Sequence, residues 1–217
     1  MRGQAHTMEA ILGGLVLLGG LLFALQVTAV TPLSASTSNQ YIENQQSGIA
    51  RGVLAVTSEE GGVGVESPLK RAVLFWGDEN SDGIREFHCS DGVEVYYTKP
   101  PSASCPASPS VAPPNEFGVV LDRAFGPGTA VNVQLFYRTP AGFTESQWMV
   151  YQGDPTDNAV QVTTLVTLHD DDVVYDSSEN PTGMTVGSGA ADFYAPDAFP
   201  STGTYNVIEV EVTVWRI

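Results

Sequence analysis

The sequence has little positive charge. It contains nine lysine and arginine residues against 25 aspartate and glutamate residues, so its formal net charge is −16. Only two of these cations are lysines, Lys70 and Lys99. Because nucleic-acid binding needs a basic patch that neutralises phosphates, the composition predicts no nucleic-acid partner. The acidic surface should also be repelled by anionic lipid headgroups outside any membrane anchor.

An acid excess of this size is typical of either a disordered chain or a protein adapted to high salt. Disordered segments carry few aromatic and apolar residues, whereas this chain is 42% apolar and 9% aromatic. In molar salt the Debye length falls to about 3 Å, so a large excess of like charges costs little free energy. We therefore interpret the composition as adaptation to high salt.

The sequence also lacks the motifs of common enzymes. It has three histidines, His6, His88 and His169, and no G-x-S-x-G, H-E-x-x-H or G-x-x-x-x-G-K pattern. No nucleophile stands beside a histidine that has a third partner. The sequence therefore predicts a protein that is not an enzyme.

Cysteine is scarce, with Cys89 and Cys105 as the only two. They form no C-x-x-C pair and have no histidine cluster nearby, which disfavours a metal site. Outside the cell they are able to form a disulfide across the Pro- and Ser-rich stretch 98–115, which is predicted to be an exposed loop. Such a bond contributes about 3 kcal/mol in the loop-entropy treatment. The alternative is two unpaired thiols.

The longest uncharged run covers residues 10–30. As a helix rising about 1.5 Å per residue it is long enough to cross a bilayer, so the sequence predicts a transmembrane helix in contact with membrane lipid. Arg2 and His6 precede this run, and the first charge after it is Glu43. This bias predicts a single-pass protein of the cell membrane with a cytoplasmic N-terminus and an extracellular C-terminal domain. The alternative is a secretory signal cleaved after Ala29, which the length of the run disfavours.

Residues 31–57 are predicted to extend the helix beyond the membrane. Ile42, Ile49, Val53 and Val56 recur at spacings that place them on one face of a helix, and Pro32 marks a possible kink. This amphipathic extension is expected to lie on the outer domain.

Residues 58–217 alternate short β-like runs with turn residues. In the run 205–215, apolar and polar side chains alternate as they do along a half-buried strand. No second amphipathic helix is evident. The predicted fold class is therefore α+β, with a long N-terminal helix packed on a mostly antiparallel β-sandwich or sheet. The predicted strands are 72–76, 93–98, 118–124, 131–137, 147–152, 160–168, 173–175 and 205–215.

The first ten residues, MRGQAHTMEA, run directly into the apolar segment. This N-terminus resembles the class III signal of archaeal type IV pilins and archaellins. That signal has a short basic leader, a glycine before the scissile bond, a polar stretch with a glutamate, and then a hydrophobic helix. The form is similar to that of membrane-anchored pilin-like proteins of haloarchaea, and the similarity covers residues 1–45.

This resemblance implies that residues 1–9 contain a leader that a prepilin peptidase cuts between Gly3 and Gln4. It also implies that Glu9 pairs with the cleaved N-terminal amine of a neighbouring subunit. The alternative for Glu9 is an acid favoured by the helix dipole. The implied function is structural, as a subunit of a cell-surface filament or a pseudopilus-type machine. Such a subunit forms homo- or hetero-oligomers with other pilin-like subunits through its N-terminal helix.

One short motif points to a different function. Asp78, Asn80, Asp82 and Gly83 match the first half of a calcium-binding loop, D-x-N-x-D-G. Cys89 occupies the position of the bidentate glutamate, so the full pattern fails, and the alternative is a hairpin turn between 72–76 and 84–88. No cofactor is predicted except possible Ca²⁺. An uncleaved, membrane-anchored extracellular binding module is therefore the alternative function. The acidic run 169–172 is predicted to be a solvated hairpin turn.

Overall fold

The structure is a computed structural model that describes residues 2–62, 64–78, 83–90, 94–100, 111–189 and 192–217. Within these ranges, the side chains of residues 2–6 and 27–39 are not described. The chain divides into two compact units, one ending at Asn44 and the other covering Gln45–Ile217. The second unit is called the outer domain below, after the position that the sequence predicts for it.

A single helix, α1, covers Arg2–Ser58 and includes Pro32. Its last turns belong to the outer domain. The face buried there consists of residues spaced by three and four along the helix, namely Gln46, Ala50, Val53, Leu54 and Thr57. The amphipathic extension is thus present, but part of its predicted apolar stripe is wrong, because Val56 is 60% exposed. Thr57 replaces it in the core, and its hydroxyl donates a hydrogen bond to the Val53 carbonyl at 2.8 Å.

The centre of the outer domain is an antiparallel sheet of four strands. These are β3 (Thr129–Arg138), β4 (Thr144–Val150), β5 (Val160–His169) and β8 (Thr204–Arg216), in the order β4-β3-β8-β5. Two smaller antiparallel pairs are formed by β1 (Trp76–Gly77) with β2 (Glu86–Phe87) and by β6 (Val173–Tyr175) with β7 (Pro181–Thr185). The α+β prediction is confirmed.

One of the predicted strands is a helix and another is partly helical. Residues 118–124 lie in α3 (Glu116–Ala124), whereas residues 72–76 contain the end of α2 (Pro68–Val73) and, at Trp76, the start of β1. Both helices have N-caps: the Ser67 side chain accepts from the Lys70 N–H, and the Asn115 side chain accepts from the Gly118 N–H. Such caps satisfy backbone N–H groups that have no partner in the first turn of a helix. These short helices place their apolar residues at spacings that also fit a strand, which explains the error.

A third predicted strand, 93–98, is not a strand in its described part, 94–98. There Tyr97 makes one isolated parallel bridge to Val150. A single bridge covers the end of β4 without extending the sheet.

One hydrophobic core joins the sheet to the helices. It includes Val53 and Leu54 from α1, Leu69 from α2, Phe117 from α3 and the inward-facing Val210 of β8. Alternate residues of β8 fill this core, as the sequence predicted. At α3 the packing requires glycine, because a Cβ on Gly118 would lie 1.8 Å from the Pro113 carbonyl oxygen.

Candidate functional site

The N-terminal part of α1 contains a segment that is long and apolar enough to cross a membrane. It covers Thr7–Gln26 with a mean hydropathy of 2.1, and none of it is buried. Leu17, for example, is 76% exposed. Because each large apolar side chain gains about 1.5–3 kcal/mol on leaving water, this segment is far more stable in an apolar surrounding. A membrane anchor and a signal sequence both have these properties.

The residues of the predicted processing site lie at the start of this helix. Gly3 and Gln4 are in the first turn of α1, where backbone N–H groups have no partner within the helix. Glu9 is exposed and lies inside the apolar segment, two residues after Thr7. If this segment lies in a membrane, a carboxylate within it is costly unless it has a partner. The structure therefore leaves the roles predicted for these three residues as predictions.

Two glycine pairs interrupt the bulky surface of the apolar segment. Gly13, Gly14, Gly19 and Gly20 have no heavy atom within 4 Å of the position that a Cβ would take. Small residues allow the backbones of two membrane helices to approach closely. The segment thus has surface on which a second helix can pack.

Of the predicted calcium residues, Asp78 directly follows β1. β1 pairs with β2, as the hairpin interpretation predicted, and the Gly83 N–H donates to Asp78 Oδ2 at 3.0 Å. Asn80 and Asp82 lie outside the described residues. Within the described ranges, no group of three or more His, Cys, Asp or Glu side chains is placed to hold a metal ion. Calcium binding stays a prediction.

Cys89 follows β2 and is disulfide-bonded. Its backbone has a φ of 69°, in the left-handed region that non-glycine residues rarely adopt. Cys105, the other predicted half of the bond, lies outside the described residues. The pairing of these two cysteines therefore stays a prediction.

A partly buried ion-pair cluster lies where α2 meets the segment between β5 and β6. Lys70 Nζ is 2.7 Å from Asp172 Oδ1 and 3.4 Å from Glu66 Oε1. The side chain of Lys70 is 17% exposed and that of Asp172 is 9% exposed. Tyr175 completes the cluster by donating its hydroxyl to Glu66 Oε2 at 2.8 Å. We refer to these four residues as the Lys70 cluster.

The Lys70 cluster corrects the prediction for residues 169–172. The run does not form a hairpin, because β5 pairs with β8 and β6 pairs with β7. Nor is Asp172 solvated, since it also accepts the His169 backbone N–H at 2.7 Å. The run does make a turn, in which the Asp172 N–H donates to the His169 carbonyl at 3.1 Å and Asp171 is exposed. The burial of Asp172 was not predicted, because the Lys70 that neutralises it lies 102 residues earlier in the sequence.

Tyr175 is the partly buried phenol of this cluster. Burial, and then the hydrogen bond to Glu66, raise the pKa of the Tyr175 hydroxyl to about 12. The phenol therefore stays protonated through the physiological range and keeps donating to Glu66. Each of these polar groups is satisfied by another, so the arrangement suits the docking of α2 onto the sheet.

Arg71 extends this polar docking to α3. Its guanidinium lies 2.5 Å from Glu116 and 3.5 Å from Glu179. Burial raises the pKa of the Glu179 carboxyl, and the nearby Arg71 opposes that shift. Because Glu116 is largely exposed, this pair is expected to contribute no more than about 1 kcal/mol. One local signal in the sequence pointed toward the ion pairs of Lys70 and Arg71. Ser67 followed by Pro68 is typical of a helix start, and the helix that begins there carries both cations.

Comparison with known proteins gives a family but no activity. No curated protein and no solved structure shows significant similarity to this chain. One family model matches residues 2–214, and thus includes both the apolar helix and the outer domain. The chain belongs to this family, which is described as a family of unknown function, DUF7288.

Proposed function

We propose that this protein is a type IV pilin-like subunit with a structural role in a cell-surface filament or pseudopilus-type machine. One observation carries the proposal: α1 is a single helix that is apolar and exposed over Thr7–Gln26 and is built into the core of the outer domain at its other end. A subunit of this kind places its apolar helix among lipids or among the helices of neighbours. Its acidic β-rich domain then forms the outer surface.

The orientation follows from charge. Arg2 precedes the apolar segment, and the next basic residue after the segment is Arg51, so we infer a cytoplasmic N-terminus and an extracellular outer domain. In this orientation Gly3 and Gln4 lie at the cytoplasmic membrane face, where a prepilin peptidase acts. Removal of residues 1–3 creates a new amine at Gln4, which can neutralise Glu9 of an adjacent copy inside the low-dielectric layer.

The processing step is tested by Gly3→Val. A β-branched side chain before the scissile bond should block the peptidase, so the variant should keep Met1 when it is isolated from membranes of the native host. The matched control is Gly14→Val, which makes the same change inside the apolar segment at a position with open space for a side chain. Intact-mass measurement should show a shortened chain for the control alone. Identical N-termini in the two variants would remove the processing step from the proposal.

The second candidate is an uncleaved, anchored extracellular binding module. The hydrogen bond from Gly83 to Asp78 favours a compact acidic turn, and the sequence of that turn resembles half of a calcium loop. This candidate predicts that a chelator lowers the melting temperature of the full chain in detergent at constant high salt. It also predicts that Asp78→Asn removes the effect, whereas Asp154→Asn on another exposed loop does not. Identical melting with calcium and with chelator would eliminate the calcium form of this candidate.

A further inference from the structure

The two edges of the four-stranded sheet differ in how well they are protected. A free edge strand presents a row of unpaired N–H and C=O groups, and monomeric proteins blunt such edges with charge, bulges or coverage by other segments. In this sheet the edges are β4 and β5.

β4 is protected by all three devices. The Tyr97 N–H donates to the Met149 carbonyl at 2.9 Å, and the Tyr97 carbonyl accepts the Tyr151 N–H at 2.9 Å. Its pairing with β3 contains a register shift between Val133 and Gln134. Glu145 adds an exposed charge in the open half of the strand. This edge is therefore a poor template for another strand.

Between Val160 and Leu168, β5 itself has no charged residue and no bulge, and no described segment is hydrogen-bonded to its free side. This stretch also contains no proline, and its register with β8 is unbroken up to the shift at Leu168. Every second residue of an antiparallel edge strand points its N–H and C=O away from the sheet. Within the described parts of the chain, no backbone group pairs with these outward groups. β5 is thus a long, regular strand that is open on one side.

An open groove lies along the C-terminal half of this edge. Leu165, Val166 and Thr167 line it consecutively, although neighbouring residues of a strand point to opposite faces. The groove therefore follows the edge of the strand rather than one face of the sheet. Its opposite wall includes Glu60, Glu66 and Lys70, and its volume is about 330 Å³. A strand added to β5 would enter this groove.

We propose that the open edge of β5 pairs with β5 of a second copy of this chain, antiparallel and about a two-fold axis. The occupant is argued from charge. The chain has a net charge of −16, but residues 160–168 carry no charge, so two copies meet along this edge without like charges at the seam. In this arrangement the groove wall beside residues 165–167 of one copy, with Glu60, Glu66 and Lys70, receives the uncharged residues 161–163 of the other. Because β4 is protected, a head-to-tail pairing of β5 of one copy with β4 of another is disfavoured. Of the pairings between these edges, the symmetric pairing of β5 with β5 therefore remains.

The register that centres on Thr164 matches both faces of the joined sheet. It places Val162 opposite Val166 on the core face and Thr163 opposite Leu165 on the outer face. The nearest acidic residues on that outer face, Glu209 and Glu211, lie on β8. In the joined sheet β8 and the second copy's β8 are three strand spacings apart, about 14 Å. This exceeds the Debye length of about 8 Å at physiological ionic strength, so like-charge repulsion is screened.

Cysteine cross-linking of the full chain in membranes tests this pairing, whether or not the leader is processed. Facing residues across an antiparallel pair have Cβ atoms about 5 Å apart, close to disulfide distance. Mild oxidation should therefore give a dimer on a non-reducing gel for Thr164→Cys. The control is Ser146→Cys, an exposed site on β4, which should stay monomeric.

A blocking substitution gives the second measurement. Leu165→Lys, added to Thr164→Cys, places a charge on the exposed face of the edge and should lower the dimer yield at least about tenfold. Ser146→Lys in the same background should leave the yield unchanged. Equal yields for Thr164→Cys and Ser146→Cys, or a Thr164→Cys dimer that Leu165→Lys does not reduce, would overturn the pairing. Because all these variants keep Gly3 and Glu9, a negative result here leaves the proposed processing untouched.

Discussion

Replacing Lys70 with methionine should destabilise the outer domain by about 3 kcal/mol. The substitution keeps most of the side-chain volume but leaves Asp172 and Glu66 without their cation, and removing one partner of a buried pair typically costs about 3–5 kcal/mol. For a domain of this size the melting temperature should fall by roughly 6–12 °C. Thermal unfolding of the full chain in detergent, followed by circular dichroism, measures the change.

The control for this prediction is Arg123→Met. Arg123 also carries one positive charge on a helix of the outer domain, but it is exposed. Its replacement should change stability by less than about 0.5 kcal/mol. The difference between the two variants should persist in molar salt, because salt screens buried pairs much less than exposed ones. A Lys70→Met variant that melts with the Arg123→Met control would show that the cluster does not hold α2 in place.

Replacing Leu17 with arginine should prevent most of the protein from remaining in the membrane. Leu17 lies near the middle of Thr7–Gln26, and an arginine at the centre of a membrane helix costs about 2.5–3.5 kcal/mol during insertion. A cost of this size corresponds to roughly a hundredfold change in an equilibrium. Fractionation of cells into membrane and soluble parts, followed by detection of the outer domain, measures the loss.

Val56→Arg is the matched control on the same helix. Val56 is also exposed, but it lies 30 residues beyond the end of the apolar segment, in the outer domain. This variant should remain in the membrane fraction like the unmodified protein. If all of the Leu17→Arg protein also remains in the membrane fraction, the centre of the segment does not lie in the hydrocarbon layer. The apolar surface of α1 would then be covered by something other than lipid.

The sequence was most informative where one periodicity extended over many residues. The alternation of β8 and the uncharged run of α1 each produce a signal that needs no distant contact, and both elements were predicted. α2 and α3 have only 6 and 9 residues, so their apolar spacing does not separate a helix from a strand. Their N-caps, Ser67 and Asn115, were the signals that distinguish the two.

The Lys70 cluster and the open edge of β5 lay beyond what the sequence alone could predict. Asp172 is buried because α2 brings Lys70 to it, and the sequence near Asp172 shows only acid. The edge position of β5 depends on the sheet order β4-β3-β8-β5, in which the last strand of the chain inserts between β3 and β5. Both features arise from contacts between distant residues, which local patterns do not encode.

The N-terminus of the protein in native membranes tests the proposed function most directly. Intact-mass and peptide mass spectrometry of the purified chain should find a mature protein that begins at Gln4, because the prepilin-type site lies between Gly3 and Gln4. A protein that begins at Met1 would contradict processing and leave α1 as a static anchor for a binding domain. A protein that begins at Val30 would contradict the anchor itself, because the apolar segment would then be a cleaved secretory signal.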